Sequence, residues 1–350
     1  MAHYDIIYYT GTGNTAHAVD VIQRALQQKR NTVSAVCITA HTAVPIKPLG
    51  ENTVIAFPVY SWMAPLSMRR YLRHLPKGKG RIYVLAVRGG MPGKDEAGGY
   101  GGGALEEVEH ILVRKGYDVC VTADAGYPDN WMQFIPPLGK DDVTATCSKG
   151  DRETGVFIDK LLSGSRSVYR AKALPKTLTG IIAVLFRAIG ARALGTCFIA
   201  DVNCNGCSLC EKHCPTGTIV MTGKDKRPRW RFSCEACNRC INICPMHSIQ
   251  FSLPFIIIGS VATGLMIWGG IAGYNALAPH LPITGMAAAL ANIGAVIAAV
   301  VLAHVLGFTA IYRFCFMLTG ITSVRRFFSK SHTQSYGRYV SPGFKPGKTK

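Results

Sequence analysis

The sequence predicts an α/β fold, in which a doubly wound, five-stranded parallel sheet is followed by a small cysteine-rich α+β domain and a hairpin of two apolar helices. Three observations support this prediction. Strand-like and helix-like segments alternate over the first 160 residues, eight of the 13 cysteines fall between positions 204 and 244, and two long uncharged apolar runs follow. Hydrophobic residues make up 48% of the 350 residues, which is ample for a packed core and a membrane segment.

Five short apolar runs account for the predicted sheet. Helix-like segments lie between them, and the first has apolar residues at helical spacing (Val19, Ile22 and Leu26). Strands that alternate with helices favour a parallel sheet covered on both faces, with ligands at the carboxyl ends of the strands. We assign this domain to residues 1–162. The runs lie at 4–9, 32–38, 53–57, 81–87 and 117–122, and the further helices at 65–75, 103–116 and 151–162.

Three loops of this domain have the composition of a site for a phosphate-bearing aromatic cofactor. The first, at 10–15, combines glycines with threonine hydroxyls and precedes a helix N-terminus, although a plain tight turn is an alternative interpretation. It lacks the lysine of a P-loop. The loops after the third and fourth strands supply aromatic rings and more glycines. The candidates are Thr10, Gly11, Thr12, Gly13, Asn14, Thr15, Pro58, Val59, Tyr60, Ser61, Trp62, Arg88, Gly89, Gly90, Tyr100 and Gly101.

A basic connector, residues 163–196, follows the first domain. Its segment 177–194 has apolar residues at helical spacing, with Arg187 and Arg192 as its charges. Two interpretations stay open: a helix packed on the domain, or an interfacial helix that lies on a membrane.

Residues 197–252 form the cysteine-rich domain, which contains two copies of one motif. Each copy has three cysteines separated by two residues, a fourth after three more, and then a proline. This is the spacing of two-cluster iron–sulfur proteins, in which the fourth cysteine binds the other cluster, and a pair of zinc sites is the rival interpretation. We assign one [4Fe–4S] cluster to Cys204, Cys207, Cys210 and Cys244, and the other to Cys234, Cys237, Cys240 and Cys214.

Two apolar runs, at 253–274 and 285–312, are each long enough to cross a bilayer and contain no charged residue. They predict a transmembrane hairpin over 253–312, with a buried soluble hairpin as the alternative. The loop between them lacks Lys and Arg, whereas both flanks carry arginines. By the positive-inside tendency, both termini and the cofactor domains then lie on the cytoplasmic side of the cytoplasmic membrane. We expect residues 313–350 to form a basic, loosely ordered tail.

The net charge of +19 is unevenly distributed. Residues 1–160 hold 18 basic and 16 acidic residues, whereas residues 161–350 hold 21 basic and four acidic residues, a net charge of +17. The second part therefore favours a negative partner, for which anionic lipid, an acidic redox protein and nucleic acid are the candidates, and the apolar runs favour lipid. Residues 1–30 lack the pattern of a secretory signal, so we expect a reducing compartment without a disulfide framework.

Residues 4–15, 57–65 and 88–116 resemble a flavodoxin, and residues 1–250 as a whole resemble the flavodoxin–ferredoxin fusion proteins of anaerobes. The stretches FIADVNCNGCSLCEKHCPTGTIV and RPRWRFSCEACNRCINICPMHSIQ are similar to the ferredoxin half of that family. The resemblance implies a flavodoxin-like sheet, FMN beside the two clusters, and electron transfer between them. The apolar hairpin departs from the family pattern.

The predicted function is membrane-anchored electron transfer between a low-potential, ferredoxin-like cytosolic carrier and a membrane acceptor. The acceptor would be a quinone or an integral-membrane enzyme, and His304 in the second apolar run is a candidate quinone contact or haem ligand. The alternative is a non-catalytic carrier subunit docked on a larger membrane redox complex. A redox sensor is a third hypothesis, but no segment resembles a recognition helix, so we expect no nucleic-acid partner.

Overall fold

A computed structural model describes residues 1–92, 101–171, 173–277 and 285–347 of the chain. It confirms the predicted five-stranded, doubly wound parallel sheet, with strand order β2-β1-β3-β4-β5. This is the order of the flavodoxin-like class, in which ligands bind where the order reverses, beside β1 and β3. The strands are β1 (His3–Tyr8), β2 (Thr32–Cys37), β3 (Asn52–Pro58), β4 (Arg81–Gly90) and β5 (Asp118–Pro128).

Helices cover both faces of the sheet and bury a separate core on each. On one face α1 and α4 contribute Ile22, Leu26 and Phe157 to a core with β1 and β4, and on the other α2 and α3 contribute Leu72 and Val108. These side chains are almost fully buried, because a parallel sheet must be apolar on both faces. The helices are α1 (Asn14–Gln28), α2 (Leu66–His74), α3 (Ala104–Arg114) and α4 (Lys140–Leu162), the last beginning well before the expected position 151.

The cysteine-rich domain is built from two short antiparallel strand pairs and two one-turn helices. Strand β6 (Phe198–Ala200) pairs with β9 (Ile249–Phe251), and β7 (Ile219–Thr222) pairs with β8 (Arg227–Trp230). Helices α7 (Leu209–Lys212) and α8 (Arg239–Ile243) each begin inside one cysteine motif. Phe198, Trp230 and Phe251 are buried at the centre, which holds the two motifs side by side.

The connector between these domains is helical. It comprises α5 (Ala173–Leu185), a π-helical turn (Phe186–Gly190) and α6 (Ala191–Thr196). Ion pairs hold it against the beginning of α3: Arg170 pairs with Glu109, and Arg187 pairs with Glu107. The connector therefore lies on the surface of the first domain.

Two apolar helices follow, α9 (Leu253–Leu277) and α10 (Gly285–Leu306), and they pack on each other with Gly270 close to Ala299. Within the described chain, α9 is long and apolar enough to cross a membrane, and 289–303 in α10 forms a shorter apolar segment. Both membrane crossings stay predictions. The side chain of His304 lies outside the described residues.

The expectation of a loosely ordered tail was wrong. The chain continues into α11 (Tyr312–Leu318) and α12 (Thr322–Phe328), and then runs back over both globular domains. The Ser341 amide donates to the Thr12 carbonyl at 2.9 Å, and the Tyr339 hydroxyl donates to Asn14 Oδ1 at 2.6 Å. Phe344 packs against Gly13. Buried aromatic and small polar residues, rather than the basic composition, decide the structure of this segment.

Candidate redox cofactor sites

A cavity of about 300 Å³ lies at the carboxyl edge of the sheet, beside β1 and β3. This is the position that the strand order predicts for a ligand, and the volume is within the range of small-molecule sites. Its wall is formed by Thr10, Gly11, Thr12, Asn14, Thr15, Pro58, Val59, Tyr60, Ser61, Trp62, Val87, Arg88, Gly89, Pro128, Asp129, Asn130, Trp131, Phe186, Glu235, Ala236, Cys237 and Asn238.

The loop at 10–15 forms the polar end of the cavity. The Gly13 amide donates to Thr10 Oγ1 at 3.2 Å, and Gly13 has a φ of 110°, which favours glycine. The hydroxyl of Thr15 is buried without a hydrogen-bond partner and lies in the cavity wall. Because α1 begins at Asn14, the loop offers an unpaired hydroxyl and free helix N–H groups to a phosphate.

The loop after β3 supplies the aromatic wall. Ser61 and Trp62 have φ values of 47° and 63°, an unusual left-handed conformation for two consecutive residues with side chains. The Tyr60 hydroxyl is buried without a partner. A Cβ added to Gly11 would lie 2.6 Å from that hydroxyl, so the glycine permits the two loops to meet. A flat aromatic ring with polar edges suits this wall.

The loop after β4 contributes mainly backbone. The Arg88 guanidinium is bound to Asp124 at 3.4 Å and to Glu153 at 3.2 Å, so its charge is already paired. Gly89 approaches the Asp129 carboxylate so closely that a Cβ would lie 2.9 Å from it. Among the described candidates, Gly13, Gly90 and Gly101 lie outside the cavity wall, and Tyr100 lies outside the described residues.

Several wall residues are absent from the sequence-based candidates. Asp129, Asn130 and Trp131 follow β5, so the rule that ligands bind at strand ends is a signal that would have found them. Phe186 in the connector and the segment 235–238 reach the cavity only through the packing of other domains. No local sequence pattern indicates that these residues lie in the cavity wall.

The structure brings the eight motif cysteines together in the two predicted sets. Cys204, Cys207, Cys210 and Cys244 line one small cavity, and we call them the outer set. The other four, Cys214, Cys234, Cys237 and Cys240, lie close enough for their charges to interact, and we call them the inner set.

Among the described side chains, no group of three or more His, Cys, Asp or Glu residues is positioned to hold a single metal ion. Metal binding by the two cysteine sets, and the choice between iron–sulfur clusters and zinc, therefore stay predictions from the motif spacing.

The inner set adjoins the flavodoxin-like cavity through Glu235, Asn238 and Arg239. Glu235 Oε1 accepts from the amide and the hydroxyl of Ser67, each at 2.7 Å, and Asn238 Nδ2 donates to the Asn130 carbonyl at 2.8 Å. These bonds fix the cysteine loop to the wall of the cavity.

The buried Arg239 guanidinium links the two loops most directly. It donates to the carbonyls of Thr10 and Gly11 at 2.7 and 2.6 Å, behind the phosphate-type loop, and to the His213 carbonyl at 3.0 Å. Its charge is thus held between the inner cysteines and the polar end of the cavity. Hydrogen bonds to a charged donor are the strong ones, so Arg239 couples the positions of the two sites.

Burial controls the ionisation of this region. It raises the pKa of the Cys237 thiol to about 11, and it also raises the pKa of Glu235 and of Asp129. Thiols bind iron as thiolates, so the positive charge of a bound iron would offset the cost that burial places on proton loss.

The outer set lies at the surface. Cys207 is exposed, and Lys212, Lys224 and Lys226 are exposed on the surrounding loops. A Cβ added to Gly206 would lie 3.2 Å from Lys226 Cβ, so the lysine loop packs beside the motif. The edge of this set is therefore accessible and positively charged.

Comparisons with known proteins give partial matches. No family model matches the chain. One subunit of an ion-translocating oxidoreductase complex from Methanosarcina acetivorans is 38% identical over 52 residues, which are 15% of this chain and 19% of that protein. The match thus spans about a fifth of the curated relative's length.

Two solved flavodoxins are similar to the first domain. Flavodoxin 2 from Bacillus cereus is 13% identical with a TM-score of 0.31, covering 45% of this chain and 99% of its own. The Megasphaera elsdenii flavodoxin is 16% identical with a TM-score of 0.25, covering 44% and 98%. At these scores the assignment of the fold rests on the strand order itself.

Proposed function

We propose that this protein is a membrane-associated electron-transfer protein that binds FMN in the cavity and one [4Fe–4S] cluster on each cysteine set. One observation carries the proposal: Cys237 and its neighbours Glu235, Ala236 and Asn238 form part of the cavity wall. A ligand in the cavity therefore borders the loop that holds the inner cluster. Such proximity favours direct electron exchange between a flavin and a cluster.

Each part of the wall has a role in this proposal. The loop 10–15 binds the phosphate, Tyr60 and Trp62 border the flavin ring, and the loop 87–89 reaches its edge through backbone groups. A bound flavin exchanges electron pairs and each cluster exchanges single electrons, so together they split or merge pairs. The protein supplies binding, spacing and electrostatics, with Arg239 holding the loops in register.

The relay runs between two surfaces. The exposed, basic outer set suits an acidic low-potential carrier in the cytoplasm, since opposite charge steers such encounters. The apolar helices α9 and α10 suit anchorage beside a membrane acceptor, with both termini on the cytoplasmic side.

Cofactor analysis and rapid kinetics of the anaerobically purified full chain test the proposal. We expect one FMN and two four-iron clusters per chain, from flavin absorbance, iron and sulfide assays and EPR of the reduced state. After reduction and addition of a naphthoquinone to liposomes that contain the protein, flavin and clusters should be reoxidised together. Zinc in place of iron, or a chain that does not retain FMN, would contradict it.

A carrier subunit of a larger complex is the second candidate, because the 52-residue match is to one subunit of an ion-translocating oxidoreductase complex. It predicts intact cofactors, no reoxidation by quinone, and stable co-purification with an integral-membrane protein. The reoxidation experiment therefore separates the two candidates.

A further inference from the structure

The connector helix α5 presents an unpartnered apolar stripe. Leu178, Ile181, Ile182 and Leu185 are 58%, 60%, 53% and 58% exposed. At helical spacing they lie on one face, while Ala183, on another face, is almost fully buried. Arg170 and Arg187, which flank α5, pair with Glu109 and Glu107 of α3.

A row of aromatic rings continues this stripe toward the apolar helices. Phe186 follows α5 directly, and its ring lies 6.4 Å from that of Trp131, which lies 4.6 Å from Phe134. Phe134 lies 6.4 Å from Phe251, two residues before α9 begins. Trp131 and Phe134 are 42% and 55% exposed, although both are large apolar side chains.

We propose that the α5 stripe and this aromatic row form one docking surface for the bilayer interface. The row ends at Phe251, which is buried and lies two residues before α9, the helix long and apolar enough to cross a membrane. The connector 163–196 contains six basic residues and no acidic one, as expected for a helix that lies on anionic lipid. Large apolar side chains grouped on one exposed face are typical of a surface that contacts a partner or a membrane.

The surface has a consequence for the cavity. Trp131 and Phe186 belong both to the docking surface and to the cavity wall, so docking would place this side of the cavity at the lipid. An acceptor dissolved in the membrane, such as a quinone, then reaches the flavin without crossing water. This consequence rests on the proposed function, whereas the docking surface itself does not.

Tryptophan quenching by brominated lipid tests the surface. Ile181→Trp places a new fluorophore on the stripe, and Val156→Trp is the matched control on the exposed face of α4, across the sheet from α3. In liposomes of anionic lipid, bromine on the acyl chains should remove most of the emission added by I181W and leave that added by V156W. Equal quenching of the two, or none at position 181, would overturn the proposal.

A second pair of measurements tests whether an acceptor in the membrane reaches the cavity. Ile181→Asp should slow reoxidation by a lipid-dissolved naphthoquinone several-fold and leave reoxidation by water-soluble ferricyanide unchanged. Equal effects on both oxidants would show that the cavity does not open at the membrane. Flavin and iron contents of the same preparations separate a failure of the docking surface from a failure of the proposed function.

Discussion

The two cysteine sets have the same local backbone and different surroundings. Each motif contains two residues in the left-handed backbone region, separated by one residue. Gly206 and Ser208 have φ values of 70° and 61°, and Ala236 and Asn238 have values of 52° and 60°. A one-turn helix follows in each. The cysteine spacing thus determines the fold of each site, but it does not determine what the site contacts.

Their neighbours give the two sets different roles. The inner set is covered by the flavodoxin-like domain, with Glu235, Asn238 and Arg239 bonded into its loops. The outer set meets solvent at Cys207, beside exposed lysines. We infer that the inner site exchanges electrons with the flavin and the outer site exchanges them with a soluble partner.

Removal of one cysteine from each set tests this division most strongly. Cys207 and Cys237 occupy equivalent positions in the two motifs. Cys237→Ala should abolish the inner cluster and strongly reduce retention of FMN, because its loop forms the cavity wall. Cys207→Ala should abolish the outer cluster and leave FMN in place.

Iron content, EPR and flavin absorbance measure both variants. If C207A lost flavin as completely as C237A, the two sites would not differ in their relation to the cavity.

Loss of the Arg239 hydrogen bonds should have the next largest effect. Arg239→Gln removes charged hydrogen bonds worth about 1.5–3 kcal/mol each, so FMN binding should weaken by at least about tenfold. Arg231→Gln, at an exposed position of the same domain, is the control and should leave affinity unchanged. Fluorescence titration of the FMN-depleted full chain gives both values. Equal affinities would show that Arg239 does not support the loop.

The basic rim of the outer set should affect association rather than cofactor content. Lys226→Gln combined with Lys224→Gln should slow reduction by an acidic ferredoxin a few-fold at low salt, with a smaller difference at high salt because ions screen the attraction. Lys29→Gln, at an exposed site on the first domain, is the control. Stopped-flow rates that are independent of salt in every variant would contradict the steering role.

The smallest expected effect tests the burial of Asp129 in the cavity wall. Burial raises the pKa of Asp129, so its contribution to stability is complete below the usual aspartate pKa of about 3.9 and is lost as pH rises through the raised value. Asp129→Asn should therefore raise the melting temperature at mildly alkaline pH and change it little in acid. Asp225→Asn, on the exposed outer loop, is the control. A melting temperature unchanged by D129N in alkali would contradict a desolvated Asp129.

The sheet and the position of the glycine loop were predictable because each depends on local spacing, whereas the assignment of the cysteines to two clusters stays a prediction. Alternating apolar runs and helices specify a parallel sheet, and strand ends specify its ligand edge. The candidates Thr10, Tyr60 and Trp62 came from that rule, and the structure brings them into one wall.

The other wall residues and the structure of the tail depend on contacts between segments that are distant in the sequence. Nothing in the sequence around Phe186 or Asn238 indicates that these residues meet the loop after β5, since those contacts form only when the domains pack. The tail was mispredicted for the same reason, because Tyr339 and Phe344 bury against residues more than 300 positions away.

The return of the tail to the glycine loop sets an order for biosynthesis. The loop at 10–14 is made before both apolar helices, whereas Tyr339, Ser341 and Phe344, which brace it, are translated only after them. The contacts between the tail and this loop therefore cannot form until the apolar helices have been synthesised. We expect nascent chains arrested before residue 339 to bind flavin poorly. Flavin binding would then follow the synthesis of the apolar helices.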